Sequence, residues 1–238
     1  MIVMAFLAFA HVSFWAWGLT LGVQAGAVGG AGAVLVGVWL TIIGLWIGFV
    51  GYLSRAGWLT GPGVQTHTWL WVPTPTVMLS LVGFMLLPDL REAWITALSL
   101  LPDAAMPALH SLRILAVGTV NKARKGEFPR RIGFAVGIPD LAFGLWSLSI
   151  AMSGGFASAR VEIIWHILGA AILILMIPMV FTVLRPPRLD APGKAPARAI
   201  LAFPMVLAPA GLASLFVILH ALELYLLVFP NTLALGGN

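Results

Sequence analysis

The sequence predicts an all-α polytopic membrane protein: about seven transmembrane helices, N-terminus inside and C-terminus outside, with one short amphipathic helix on the outer interface. Three observations carry this. Hydrophobic residues make up 61% of the chain and charged residues 9%, far from the roughly 45–50% and 25% of soluble domains. Several runs approach or exceed the roughly 20 apolar residues that cross a hydrocarbon core about 30 Å thick. Ten of the 13 Lys and Arg residues fall in short loops on one predicted side, the bias that marks cytoplasmic loops. Residues 1–238 therefore read as a single transmembrane helical domain, placed by this bias in a bacterial inner membrane.

The predicted spans are 2–23, 33–54, 72–88, 104–121, 132–153, 161–184 and 200–228. The first contains a Val23-Gln24-Ala25 stretch like a signal-peptide cleavage site. It lacks a positive n-region and its apolar run is too long, so it reads as a retained span. The fourth is the least apolar, because Arg113 sits inside it. Between the third and fourth, Leu90, Trp94, Leu98 and Leu101 share one face, with Asp89, Arg91, Glu92, Thr96 and Ser99 largely elsewhere. That is the pattern of an interfacial helix. The loops at 26–33 and 185–198 are turn-rich connectors, and no internal repeat of the kind many transporters show is visible.

With seven spans, Arg55, then Lys122, Arg124, Lys125, Arg130 and Arg131, then Arg185, Arg188, Lys194 and Arg198 share the inner side. The net charge of +5 is thus chiefly topological. It calls for no nucleic acid, although basic loops also suit anionic lipid or a partner chain. The absence of cysteine excludes disulfides, thiolate metal sites and cysteine nucleophiles.

An arginine near mid-span costs about 2.5–3.5 kcal/mol to insert and normally finds a counter-charge. The fifth span offers one. Gly133, Gly137, Asp140, Gly144 and Ser147 recur at spacings of 4, 3, 4 and 3, a small-residue face that lets a neighbouring backbone approach. Arg113 and Asp140 each lie eight residues from the inner ends of their helices, about 12 Å deep at 1.5 Å per residue. We expect an Arg113–Asp140 ion pair, with His110 and Asn121 on the same stripe as Arg113 and Val117 between them. Pro139 leaves the carbonyl of Ala135 without its usual donor. The pair reads either as a structural clasp or as a ligand or proton site.

Three histidines on three spans, His110, His166 and His220, fall at similar depth, roughly 8–12 Å below the outer boundary. Glu162 precedes His166 by four residues and Glu223 follows His220 by three, so each imidazole has a carboxylate on its own helical face. That arrangement fixes a tautomer for metal binding or serves a proton relay. A metal ion or haem is the cofactor such a trio would take, with His11 as an alternative axial ligand; packing of each histidine in the core is the competing reading. His67 reads as a solvated loop residue. Trp58, Trp69, Trp71, Trp94 and Trp165 fit an interfacial belt, while Trp39, Trp46 and Trp146 lie deeper.

Several activities have no support. The last span carries no lysine for a retinal Schiff base, and there is no phosphate-binding glycine loop, HExxH or nucleophile elbow. Ser54, Ser80 and Ser111 have no attached base. The stretch from His110 to Ser147, with GEFPRRIGFAVGIPDLAFG at its centre, resembles a group of small uncharacterised bacterial inner-membrane proteins. These share an arginine-bearing helix, a G-x-[LF]-P turn, and a small-faced helix with an aspartate. The matching positions are Arg113, Gly126, Phe128, Pro129, Gly137, Pro139, Asp140 and Gly144. The resemblance covers under a fifth of the chain; it implies that Arg113 and Asp140 form a unit and implies no chemistry.

Three functions are therefore expected, in this order: a small-molecule or proton-coupled carrier or binding protein with an intramembrane site at Arg113, Asp140 and His110; a non-catalytic subunit or assembly factor of a larger membrane complex or homo-oligomer; and a haem- or metal-binding redox enzyme using His110, His166, His220, Glu162 and Glu223. Beyond lipid, neither ligand nor partner is specified.

Overall fold

The computed structural model describes residues 2–60, 71–184 and 197–229. Among them regular structure is entirely helical. The elements are α1 (Ile2–Gln24), α2 (Gly30–Arg55), α3 (Thr74–Leu86), α4 (Pro88–Ser99), α5 (Ala105–Ser111), α6 (Val117–Arg124), α7 (Arg130–Ala135), α8 (Gly137–Met152), α9 (Ala159–Leu184) and α10 (Ala213–Val228). His67, Trp69 and most of the basic loop 185–198 lie outside the described residues.

Five stretches are long and apolar enough to cross a membrane: α1, α2, Arg130–Met152, Ala159–Val180 and Ala208–Val228. Their outward faces carry large apolar side chains such as Phe9, Leu45, Leu145 and Leu175, which in water would be a severe liability. α3, with 13 residues, rises only about 20 Å. It is tied in by hydrogen bonds: Thr76 Oγ1 donates to Ala210 O at 2.6 Å, and Trp39 Nε1 donates to Ser80 Oγ at 3.1 Å.

Three expected helices depart from regularity, each for a local reason. The fourth predicted span is interrupted by a five-residue 3₁₀ stretch, Leu112–Ala116, between α5 and α6. At 120° rather than 100° per residue this turns the following helix by about 100°. The expected stripe consequently fails: Val117 is 51% exposed and Asn121 is also exposed, whereas Arg113 is 4% exposed. The fifth span bends at Val136, between α7 and α8, where Pro139 cannot donate to Ala135. The seventh does not run unbroken from residue 200. Pro204 and Pro209 stand in it, and regular helix begins with a π turn at Ala208–Leu212, whose Ala210 carbonyl receives the Thr76 hydroxyl. Irregular backbone at such a place persists because neighbouring groups supply its hydrogen bonds.

α4 keeps its exposed polar strip (Asp89, Glu92, Ser99) but buries Leu90, Ala93, Trp94, Ile95, Ala97 and Leu98, so it is wedged among the helices rather than lying on a surface. Glycines make this possible. A Cβ on Gly18 would stand 2.7 Å from Ala97 O, and one on Gly32 would stand 3.0 Å from Asp89 O. Trp94 then packs edge-on with Trp39 at 4.8 Å and tilted against Trp15 at 6.3 Å. Trp94 and Trp165 are both fully buried, which removes them from the predicted belt; Trp58, 74% exposed, remains available to one.

Candidate functional site

The small-residue face of the fifth span works as backbone contact. An added Cβ on Gly144 would collide with Ile114 N and stand 2.8 Å from Arg113 C; one on Gly137 would stand 2.9 Å from Val120 Cγ2. α8 therefore lies directly on the 3₁₀ stretch, and this contact brings Asp140 beside Arg113. Gly126, at φ +79°, supplies the left-handed turn between α6 and α7 that glycine adopts without steric cost.

Arg113 Nε donates to Asp140 Oδ1 at 2.5 Å. Its Nη1 donates to Gly169 O at 3.1 Å and reaches His220 Nε2 at 3.5 Å. The guanidinium lies over the Phe143 ring, 4.2 Å from its centroid, a cation–π contact in a desolvated setting. Its Nη2 has no hydrogen-bond partner. Asp140 retains 19% side-chain exposure against 2% for Arg113, so the carboxylate is the accessible half of the pair.

The three histidines converge. His166 Nδ1 lies 3.0 Å from His220 Nδ1, and the His110 ring packs 4.2 Å from that of His220. Trp165 and Phe143 wall the cluster, with Trp165 Nε1 donating to Ser147 Oγ at 3.1 Å. His11 joins from α1 by packing edge-on against Phe216 at 4.4 Å; His110 sits against the same ring at 4.6 Å. Both nitrogens of His11, both of His110, and Nε2 of His166 lack partners. His110 thus belongs to the cluster by packing and makes no hydrogen bond to Arg113.

The expected imidazole–carboxylate pairs do not form. His166 and His220 bond to each other, and Glu162 and Glu223 turn instead toward Asp103. With Ser99 and the edge of His166 these three carboxylates line a cavity of about 120 Å³. Helical spacing allowed the intrahelical pairs, but the two histidines face inward and the two carboxylates face the cavity. Among the described residues no group of three or more His, Asp or Glu is arranged to hold a metal ion. The direct contact of His166 with His220 also spends on each ring a nitrogen that a ligand set would turn to a metal or haem.

Hydrogen-bond chemistry orders the string. Arginine can only donate, so His220 Nε2 accepts from it. His220 Nδ1 then carries its proton and donates to His166 Nδ1. His166 Nε2 is left as the N–H group. One fixed charge thereby sets two tautomers and leaves His166, which lines the acidic cavity, with an unpartnered N–H.

No family model, curated protein or solved structure matches the chain.

Two contributors were not singled out in the sequence. Gly169 accepts from Arg113 and seats His220, since any Cβ there would overlap the His220 and Phe143 rings. Its signal is a small residue three positions after His166. Asp103 belongs to the cavity although it precedes α5, and nothing in its local pattern marks it.

Proposed function

We propose that this chain is a proton-coupled membrane carrier, oriented with the acidic cavity outward as the loop charges indicate, in which the Arg113–Asp140 pair is the coupling switch. The observation that carries the reading is the unbroken polar sequence from the cavity through His166 and His220 to Arg113 and Asp140, built entirely from side chains that are otherwise expensive to keep in a membrane.

Asp140 and His220 share one guanidinium, Asp140 at Nε and His220 at Nη1. An ionised Asp140 holds Arg113 through Nε with Nη1 at His220 Nε2, which keeps the histidine string in one direction with an N–H on His166. A proton on Asp140 removes that acceptor, frees the guanidinium to move off His220 Nε2, and so releases the histidine string to reverse. Proton occupancy at one end is in this way coupled to the hydrogen-bonding character of the other. Arg113 itself passes no proton, because it does not deprotonate; it carries the coupling by changing partners.

The test is reconstitution into liposomes enclosing a pH-sensitive dye, with an imposed potential driving protons inward. Proton entry above that of empty liposomes is expected, together with its loss in Asp140→Asn. Wild-type entry equal to the empty control, or unchanged entry in Asp140→Asn, refutes the reading. NMR of histidine-labelled protein supplies a second readout, since a purely structural pair leaves the His166 and His220 tautomers unchanged when Asp140 is neutralised.

A further inference from the structure

The cavity at the end of the string is more than a mouth. Glu162, Glu223 and Asp103 line it together, and none of them has a hydrogen bond or ion pair to another described side chain. No lysine or arginine lines the cavity. Negative charge gathered without a counter-ion in a partly enclosed space costs free energy unless a proton or a bound cation neutralises it. The second observation is independent of the carboxylates. His166 is fully buried, lines the cavity, is bound through Nδ1 to His220, and leaves Nε2 without a partner. By the donor chain from Arg113 that nitrogen is an N–H group, so it asks for an acceptor.

From this we infer that the cavity binds a small organic ammonium ion that also carries a hydrogen-bond acceptor, as a short amino alcohol does: the ammonium faces Glu162, Glu223 and Asp103, and the oxygen accepts from His166 Nε2. Size and lining agree. About 120 Å³ is several times the roughly 30 Å³ share of one water molecule, enough for a few non-hydrogen atoms. Phe14 and Phe156 also line the space, and aromatic faces attract alkylammonium ions. A metal ion fits less well, because its ligands must converge at about 2.0–2.6 Å on one point and the described groups do not.

This inference names a ligand class beyond the carrier reading and does not need proton coupling to hold. It is tested by calorimetric binding to the detergent-purified full chain with four probes: ethanolamine, ethylammonium, ethylene glycol and Zn²⁺. Ethanolamine is expected to bind most tightly, ethylammonium more weakly for want of an acceptor, and ethylene glycol weakest of the three for want of charge. Glu223→Gln and Glu162→Gln, both close in shape to the native residue, should each weaken ethanolamine at least about tenfold, and His166→Phe should bring ethanolamine down to the ethylammonium level. Equal binding of ethanolamine and ethylene glycol, Zn²⁺ binding alone, or ethanolamine binding indifferent to both glutamine variants overturns it. Asp140→Asn separates the two proposals: it should abolish proton entry while ethanolamine still binds, and loss of ethanolamine binding in wild type with proton entry intact removes only this inference.

Discussion

The ion pair makes a quantitative prediction through a double-mutant cycle on Arg113→Met and Asp140→Leu. Removing one member of a buried pair costs about 3–5 kcal/mol in protein interiors, because the other charge is left uncompensated. Here Asp140 is 19% exposed, and Arg113 keeps its bond to Gly169 O and its place over Phe143, so Asp140→Leu should fall at about 3 kcal/mol, the lower end of that range. Arg113→Met leaves the more accessible carboxylate behind and should cost less, about 2 kcal/mol. The double variant removes both charges and the insertion penalty of the arginine, and should lie within about 1 kcal/mol of wild type. The coupling energy is then about 4–6 kcal/mol. Reversible unfolding by SDS titration from mixed micelles measures all four proteins. A double variant as unstable as the two single effects added together would show that the residues act independently and would refute the pairing argument.

Other consequences are sharp enough to check. Gly144→Ala should lower stability by about 1–3 kcal/mol in the same titration, because the new methyl meets the Ile114 and Arg113 backbone rather than a yielding side chain. Gly169→Ala should cost a similar amount and also disturb the His220 resonances, since its Cβ overlaps the imidazole and the Phe143 ring; a stable variant with unshifted His220 would contradict the packing. Trp165→Phe removes one buried hydrogen bond, to Ser147 Oγ, and should cost about 1 kcal/mol by that loss, since the Ser147 hydroxyl keeps its bond to Phe143 O. Trp94→Ala should cost about 3–5 kcal/mol and change the near-ultraviolet circular dichroism, because Trp94 packs against both Trp15 and Trp39.

Composition and small-residue spacing disclosed the membrane setting and the α8 contact surface because both are local, one-dimensional properties. Level depths of Arg113 and Asp140 followed from counting residues along two consecutive helices, and the structure holds the two in an ion pair. Counting also put His110, His166 and His220 at one height. It could not say which way each ring turns, and that rotation decided against Glu162 and Glu223 as histidine partners and gave them to Asp103. The 3₁₀ stretch at Leu112–Ala116 contains no proline or glycine, so no local signal announced it. α4 was hard for a different reason: its hydrophobicity marks an amphipathic helix, but its depth is set by Gly18 and Gly32 far away in sequence.

Why the helix tightens at Arg113 can be argued from the same contacts. Gly144 admits the backbone of Arg113 and Ile114 at a separation no side chain would allow, and Asp140, one helical turn earlier on α8, faces the same stretch. A regular α-helix across 112–116 would continue the stripe of His110 and Arg113 through Val117 toward the protein interior. The tighter turn instead sends Val117 outward, 51% exposed, while Arg113 stays buried between Asp140, Gly169 and Phe143. Poorer helical hydrogen-bond geometry over five residues is thereby exchanged for a charge-assisted bond in a low-dielectric setting, where such bonds are about twice as strong as neutral ones. If that exchange is the cause, removing both charges should remove the reason for the 3₁₀ stretch. Arg113→Met with Asp140→Leu should then increase amide exchange protection across 112–116 as regular i to i−4 bonds return, whereas unchanged protection would assign the tightening to the Gly144 contact alone.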